Sequence, residues 1–538
     1  MRVILDLNII NLKRFKIRFW ITICRFVSVR LVLLAMASSV AASGELFLGC
    51  LVLVVRTFTN AFIWYLIFCR FDFLLGQRED RELSGKRKYD AVLENKIRPV
   101  APSSFGLTTS DKHSWMSLYR EINLKIHRPS ADFSGIHVSL MSEVLGQFCE
   151  DVNNIKLDCE DNAFTVKFCT AMCGIFTTEE ERMAMGNSML ASYLGVTVER
   201  LSGNTGGWRN HGATRVTCGS DHGNTVGAIH LEYRNELCST HTSPGEQALA
   251  SHLKLIIETP FAMRRSVCPA LLFVIAGPHM GVSATVHARG PCVDPVVPLL
   301  PLLVLKQDKA MMVQVGRALK ASKMCVAGLQ SHYETLEDAE PTELEVNQLM
   351  FPYPRQFCCE HVVVSFVYDE QIEDKLVFQA HISKQVEGFC EGQSIIVKFT
   401  KSYCIEAHQL CHAYHESAPR LFACQHLPNG WMMIVMEAVK GEDLTGGLSA
   451  HSHERLLGVV SRMHDQGLVH GDLRTNNIRV EGDRVCILDF DWSGRAGEQR
   501  YPDFMNHLDI AWPEGARDGE FLLPEHDTEW LLRMGVAR

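Results

Sequence analysis

The sequence lacks several features that would make its class plain. It has no excess of positive charge, since 53 basic side chains stand against 62 acidic ones and the formal net charge is -9. That balance excludes a protein held to nucleic acid by bulk charge, though not a local basic patch. It has no CxxC pair, and its 19 cysteines follow no regular spacing. Disulfide scaffolds are shorter and denser in cysteine, so these read as mostly reduced, buried thiols. Cys169 and Cys173 have no matched partners downstream, which argues against a zinc site there. No internal repeat is evident. Apolar residues are not scarce: at 47% hydrophobic and 21% charged, the chain can bury real cores. At roughly 150 residues per domain, 538 residues predict three or four domains.

The first 75 residues differ from the rest. Residues 1–30 carry seven basic side chains and one acid, Asp6. Leu46 to Cys69 is then largely apolar for 24 residues, with Arg56 as its one charge. That length suits a bilayer span with the basic flank left on the cytoplasmic side. Arg56 argues against insertion, because a cation near the bilayer centre is costly. A signal peptide fits poorly, as the apolar stretch starts late and has no clean cleavage site. The other reading is a segment absent from the folded protein. Residues 76–538 read as cytoplasmic or nuclear, membrane-anchored only if residues 46–69 insert.

Residues 76–199 read as a charged linker followed by a mainly helical region. Lys86-Arg87-Lys88 lies in the linker and reads as solvated surface or as a localisation tag. Thr177-Thr178 followed by Glu179-Glu180-Glu181 is a helix start. Residues 200–335 change character. Ile229, Leu231 and Tyr233 alternate with His230 and Glu232, as in a half-buried strand. Pro269 to Ala276 is continuously apolar and reads as a fully buried strand. Residues 310–333 read as a helix. Strands mixed with helices predict an α/β domain. Residues 334–345 hold six acids and no base, and read as a solvated boundary. Beyond it come strands at 376–380, 395–399 and 432–436, and helices at 403–416 and 453–464.

The chemistry concentrates in His470-Gly-Asp-Leu-Arg-Thr-Asn-Asn477 and Val485-Cys-Ile-Leu-Asp489-Phe-Asp491. Asp472 and Asn477 are five apart on a loop leaving an amphipathic helix, and Asp489 follows a short apolar strand. Two carboxylates and an amide carbonyl at strand ends are the set that phosphoryl transfer requires. One Asp takes the proton of the attacking hydroxyl, while the Asn and the second Asp hold Mg2+ on the nucleotide phosphates. Arg474 adds a cation to steady the transferred group.

These residues resemble the catalytic and metal loops of the protein-kinase-like superfamily. Lys398, in Ile395-Ile-Val-Lys398-Phe, resembles the lysine that contacts the α/β-phosphates. Glu406 on the next helix is the candidate for its ion-pair partner, and Met436-Glu437-Ala438 resembles the hinge that holds adenine. The pattern departs from the family in several places. His470-Gly471-Asp472 stands for HRD, and Asp489-Phe490-Asp491 for DFG. No GxGxxG precedes Lys398, no Ala-Pro-Glu occurs, and 47 residues follow Asp491, too few for a full substrate lobe. The His-Gly-Asp-Leu and Asp-Phe-Asp pattern also resembles aminoglycoside- and choline-kinase-like phosphotransferases. With Ala418-Pro-Arg-Leu, Asp489-Phe-Asp-Trp-Ser-Gly494 and Arg500-Tyr-Pro, residues 345–538 resemble fungal kinase-like proteins related to Crinkler-type effectors.

In that family the preceding region resembles a PD-(D/E)xK nuclease. Glu232-Tyr-Arg234, with Asp221 before it and Glu236 and Gln247 after it, is the corresponding set. Two acids on Mg2+ suit phosphodiester hydrolysis. Arginine stands where lysine is expected, however, and it does not shed its proton. His408, Cys411, His412 and His415 share one helix face; one helix does not readily wrap four ligands round zinc, so they read as a packing face.

The expectation is therefore α+β, with a two-lobed kinase-like domain over 345–538 behind a restriction-endonuclease-like α/β domain and a helical region. Its function is ATP- and Mg2+-dependent transfer to a hydroxyl of a protein Ser/Thr or a small molecule. Asp472 and Arg474 are catalytic, Lys398, Glu406 and Glu437 bind the cofactor, and Asn477 and Asp489 bind metal. Asp221, Glu232 and Arg234 form the nuclease-like set, through which nucleic acid is a weaker partner. The alternatives are a pseudokinase that binds nucleotide without turnover, or a nuclease-type effector with a regulatory kinase part.

Overall fold

The computed structural model describes residues 85–98, 120–126, 135–201, 210–237, 243–305, 307, 309–373, 375–443, 448–482 and 484–534. In chain order the elements begin with α1 (Lys86–Ile97), β1 (Lys125–Ile126), α2 (Val138–Met141), α3 (Glu143–Asn154), α4 (Cys159–Met172) and α5 (Glu179–Leu194). Then come β2 (Gly212–Cys218), β3 (Asp221–Arg234), α6 (Pro244–Glu258), α7 (Pro260–Arg265), β4 (Ala270–Ala276), β5 (His279–His287), β6 (Pro291–Pro301) and α8 (Ala310–Glu334). The last third holds α9 (Glu343–Gln348), β7 (Gln356–Cys359), β8 (Val362–Gln371), β9 (Val377–Ile382), β10 (Ser394–Thr400), α10 (Ile405–Ala413), β11 (Leu421–Leu427) and β12 (Trp431–Glu437). It ends with β13 (Glu442–Asp443), α11 (Ala450–Asp465), β14 (Leu468–Val469), β15 (Ile478–Glu481), β16 (Arg484–Ile487), β17 (Gly494–Arg495) and α12 (Pro524–Met534). The fold is α+β.

Local chemistry sets these boundaries. The Thr178 hydroxyl accepts from the Glu181 amide while Glu181 reaches back, a capping box that starts α5. Asp158 and Thr342 start α4 and α9 in the same way. The apolar run of β4 sits inside a six-stranded sheet of order β1-β6-β5-β4-β3-β2. There β3 and β4 run parallel, joined through α6, while β4, β5 and β6 form an antiparallel meander. Helices α5, α6 and α8 all pack against β3. Both sets of its side chains are therefore covered, and His230 and Glu232 are buried with Leu231 and Tyr233. The strand is not half-buried as its alternation predicts, because alternation records polarity and not what covers the polar face.

The expected linker is likewise ordered. Residues 86–97 form α1, and Lys86 is fully buried. Its ammonium donates to the Met263 carbonyl at 2.7 Å and pairs with Asp90 at 3.0 Å. A charge run counts as solvated only while each charge lacks a buried partner. The acidic stretch after α8 is also held down, by Arg265 on the carbonyls of Glu337, Asp338 and Ala339 and by Asp338 on Ser220.

A second six-stranded sheet, antiparallel throughout, has the order β11-β12-β10-β9-β8-β7. Its core holds Phe357, Phe366, Tyr368, Phe378 and Val397, and also Leu140 from α2. Trp431 donates its indole N–H to Ser139 at 2.9 Å, and the Asn429 amide donates to Glu150 at 2.9 Å. Gly85–Arg538 thus forms one compact unit. Below this sheet a mainly helical and loop region packs round Leu456, Val460, Met463, Leu473, Ile487 and Phe490. Among the described residues no helix is long and apolar enough to cross a membrane; residues 46–69 lie outside them.

Burial sets the pH response. His230 and His252 are fully buried, with ring nitrogens 3.2 Å apart. Burial pushes His230 down to about 3 and His211 and His408 down to about 4, and lowers His252 and His287 as well. Below the unfolded value near 6.5, the unfolded chain binds protons at these histidines that the folded chain refuses, so stability falls with pH. Burial raises Glu179, Glu232 and Asp491, which gives the opposite slope, but the five histidines outnumber them. The melting temperature is expected to drop between pH 7 and pH 5; a rise over that span would contradict this assignment.

Candidate active site

The site lies where β10, α10 and the loops around β14 to β16 meet. Lys398 is on β10, in register with Ile434 on one side and Val377 on the other. Its Nζ is 2.6 Å from Asp489 Oδ1 and 2.6 Å from Asp491 Oδ1. Burial opposes its charge, but the two carboxylates outweigh burial and raise its pKa. Burial also works against ionised Asp489, and Lys398 outweighs it, holding that carboxyl below the usual range. Asp491 is the group left over. Burial and the neighbouring Asp489 push it up to about 6 against the pull of Lys398. Its Oδ2 accepts from Thr400 at 3.0 Å. Its Oδ1 faces the Lys398 ammonium.

Asp472 and Asn477 lie on the loop after β14. Asn477 donates to the Asp472 carbonyl at 2.8 Å and to Asp472 Oδ2 at 3.0 Å. Arg474 clamps the same carboxylate with both prongs, Nε at 2.5 Å and Nη2 at 2.8 Å. Burial works against the Arg474 charge, yet Asp472 and Asp489 together hold its pKa up, so the guanidinium feels both carboxylates. The two loops are tied by backbone: the Leu488 amide donates to the Asn477 carbonyl at 2.8 Å, and His470 Nε2 is 3.0 Å from the Leu488 carbonyl. The ring of Phe490 is fully buried between His408, stacked on it at 4.8 Å, and His470 at 5.2 Å. That explains the histidine face of α10: His408 packs on Phe490 and bonds Tyr403 and the Pro419 carbonyl.

Gly471 stands where the family pattern has arginine. Its φ is +83°, and a Cβ there would meet Leu522 Cδ2 at 2.5 Å. A left-handed backbone with no room for a side chain leaves glycine as the fitting residue.

Two expected placements are corrected. Glu406 does not pair with Lys398; it is more than half exposed and pairs with Arg495 at 2.8 Å. The helix-first-turn position that suggested it faces outward here, and Asp491 supplies the lysine's second counter-charge. The Glu437 side chain, in the expected hinge segment, is engaged within the protein itself. Arg484 grips it at 2.8 and 3.0 Å and the Arg420 amide donates at 2.9 Å. The hydrogen bonds from Arg484 bring its pKa down to about 2. It locks the end of β12 to β16.

The nuclease-like set does not assemble. Asp221 and Glu232 lie near opposite ends of the one strand β3; Asp221 pairs with Cys218 and Leu231 with Gly212, six residues apart on β2, which is roughly 20 Å of strand. Spacing along the sequence suggested a pair, but an extended chain separates it. Glu232 is buried beside Arg234 at 3.2 Å and His211 at 3.3 Å. Burial pushes its carboxyl up to about 8 despite Arg234. Arg234 also reaches Glu179 at 3.7 Å. A fixed guanidinium already occupies the place beside this acid, and no metal-holding group of His, Cys, Asp or Glu occurs among the described residues.

Sequence reasoning missed Asp527. It lies on α12, is fully buried, and accepts from the backbone amides of His470 at 2.7 Å and Gly471 at 2.9 Å. It therefore holds the loop of Asp472 from behind. The signal was available: an acid one turn before Leu531, in the buried stripe of an amphipathic helix, needs a partner.

No family model matches the chain. A curated relative, the "Probable bifunctional tRNA threonylcarbamoyladenosine biosynthesis protein" of Methanoculleus marisnigri, is 41% identical over 66 residues, 12% of this chain and 12% of the relative. Among solved structures, the Cydia pomonella granulovirus kinase PK-1 matches at 16% identity and TM-score 0.22, covering 26% of this chain and 58% of that one. Vaccinia related kinase 3 matches at 14% identity and TM-score 0.25, covering 32% and 63%. The chain thus spans about an eighth of the curated relative and under two thirds of either kinase. TM-scores of this size say nothing of function, which has to be read from the side chains themselves.

Replacing Asp527 with Ala strands two buried amides, at a cost of about 3 kcal/mol. Asn retains one acceptor oxygen and should cost less. Denaturant unfolding checks the order; an Ala variant within about 0.5 kcal/mol of the parent would remove Asp527 from this role.

Proposed function

We propose that residues 345–538 form a protein-kinase-like phosphotransferase that moves the γ-phosphoryl group of ATP to a hydroxyl, most simply that of a protein Ser or Thr. The observation that carries this reading is Lys398 on β10 paired with Asp489, whose loop is tied backbone to backbone to the loop of Asp472 and Asn477. Each has its role in the transfer. The acceptor oxygen attacks the γ-phosphorus, the bond to the bridging oxygen breaks, and the hydroxyl proton passes to a carboxylate oxygen of Asp472. Arg474 and Asn477 fix the direction of that carboxylate. Lys398 holds phosphate oxygens.

The residues fit Mg2+. Asp489, Asp491 and the Asn477 amide offer the oxygen ligands a hard cation takes, and Asn477 spends its NH2 group on Asp472, so its amide oxygen remains to serve a cation. Bound there, the ion would neutralise charge on the nucleotide phosphates. One observation favours the rival, a nucleotide-binding module without turnover: Glu406 is spent on Arg495, and Lys398 on two aspartates.

The decisive assay offers ATP labelled in its γ-phosphate to residues 76–538 and to the Asp472→Ala variant, with the protein itself, mixed proteins and aminoglycosides as acceptors. Transfer is expected in the parent and at least about a hundredfold less in the variant. Equal, background-level transfer in both selects the rival.

The resting site also predicts an effect of metal. In the parent, nucleotide phosphates compete with two aspartates for Lys398. Asp491→Gly removes one competitor and restores the residue usual in the family pattern. Calorimetry in EDTA should find ATP binding about tenfold tighter in the variant, the equivalent of one modest ion-pair term. Equal affinities would mean that Asp491 does not restrain Lys398.

A further inference from the structure

Beside the catalytic loop the chain builds a small, rigid projection. Arg474, which clamps Asp472, lies 5.2 Å over the ring of Trp512. Trp512 in turn donates its indole N–H to the Asn506 carbonyl at 2.9 Å. Asn506 closes the turn, its side chain accepting from the amides of Leu508 and Asp509, both at 3.1 Å. On this turn Phe504 and Leu508 are each 97% exposed. Phe504 has a φ of 63°, an unfavourable backbone for a bulky side chain. Asp518 holds the turn in place, accepting from the Met505 amide at 3.0 Å and meeting His507 at 3.1 Å.

Single exposed apolar residues are ordinary. Two on one braced turn, a single side-chain step from the residue that clamps Asp472, are not. Residues 501–520 hold five exposed acids, Asp503, Asp509, Glu514, Asp518 and Glu520, against one arginine, Arg517; Arg533 also reaches this segment, on the carbonyls of Ala511 and Trp512, with Glu529 as its counter-charge.

We propose that Phe504 and Leu508 dock the acceptor, and that the acceptor is an extended protein segment carrying a bulky apolar residue and basic residues near its hydroxyl. This rests on the phosphotransferase reading above and narrows it. A small polyol or aminocyclitol has nothing to bury against two bare apolar side chains. An apolar anchor does, and its basic neighbours complement the acidic rim, which steers association.

The test uses residues 76–538 and a Phe504→Ala, Leu508→Ala double variant. Binding of a fluorescein-labelled serine peptide with one leucine and three arginines is followed by anisotropy, beside peptides with Ala for Leu or Glu for Arg. Transfer to the same peptides, and ATP affinity, are measured separately. The parent should bind the basic, apolar peptide at least tenfold more tightly than either control, and more weakly as salt rises. The double variant should lose that margin while ATP affinity and melting temperature stay unchanged. A double variant that binds the peptide as the parent does overturns the proposal. So does a parent dimer, seen by sedimentation, that the double variant loses, because the turn would then be a self-contact. Peptide binding without transfer leaves the docking surface standing and removes the phosphotransferase reading. Transfer to aminoglycosides with no peptide binding does the reverse.

Discussion

The site is organised round one buried cation. Lys398 sits in the middle of a β-sheet, where an unpaired ammonium costs several kcal/mol. Two aspartates, 2.6 Å away on either count, make it tolerable. The consequence spreads outward. Asp489 must face β10, so Phe490 turns into the core between His408 and His470. That packing sets α10 against the loop of Asp489. The Leu488–Asn477 backbone bond then brings the loop of Asp472 alongside. Asp527 fixes the same loop from the far side. A lysine in mid-sheet thus determines where three acids and an amide converge.

The neighbouring α/β region is built on a different solution to the same problem. Glu232 is buried, and its counter-charge is Arg234, two residues along the same strand. That pair is self-sufficient. Lys398 depends on Asp489, 91 positions away, and on Asp491, and a phosphate is a natural substitute for them.

Much of this was legible in the sequence. The apolar run at 270–276 became β4, the amphipathic stretch at 453–464 became part of α11, and the Thr-Thr-Glu-Glu-Glu start became α5. Local chemistry decides such elements. Asp472, Asn477 and Asp489 fall together because their spacing is set by one loop and one hairpin. What was not legible depends on distant partners. Lys86 reads as surface until Met263 and Asp90 are beside it. Glu406 reads as a lysine partner until Arg495 claims it. Asp221 and Glu232 read as a pair until the length of β3 separates them. Asp491 read as a lost glycine, and its role emerges only once Thr400 and Lys398 surround it.

The most direct measurement is a crystal structure of residues 76–538 with Mg2+ and a non-hydrolysable ATP analogue. The account predicts that Lys398 moves from at least one of its aspartates to a phosphate oxygen, at a hydrogen-bonding distance of about 3 Å. It also predicts metal between Asp489 and Asn477, and a γ-phosphate facing Asp472. Nucleotide bound elsewhere, or Lys398 still held by both aspartates beside it, would contradict the claim that this cation is the phosphate anchor of the site.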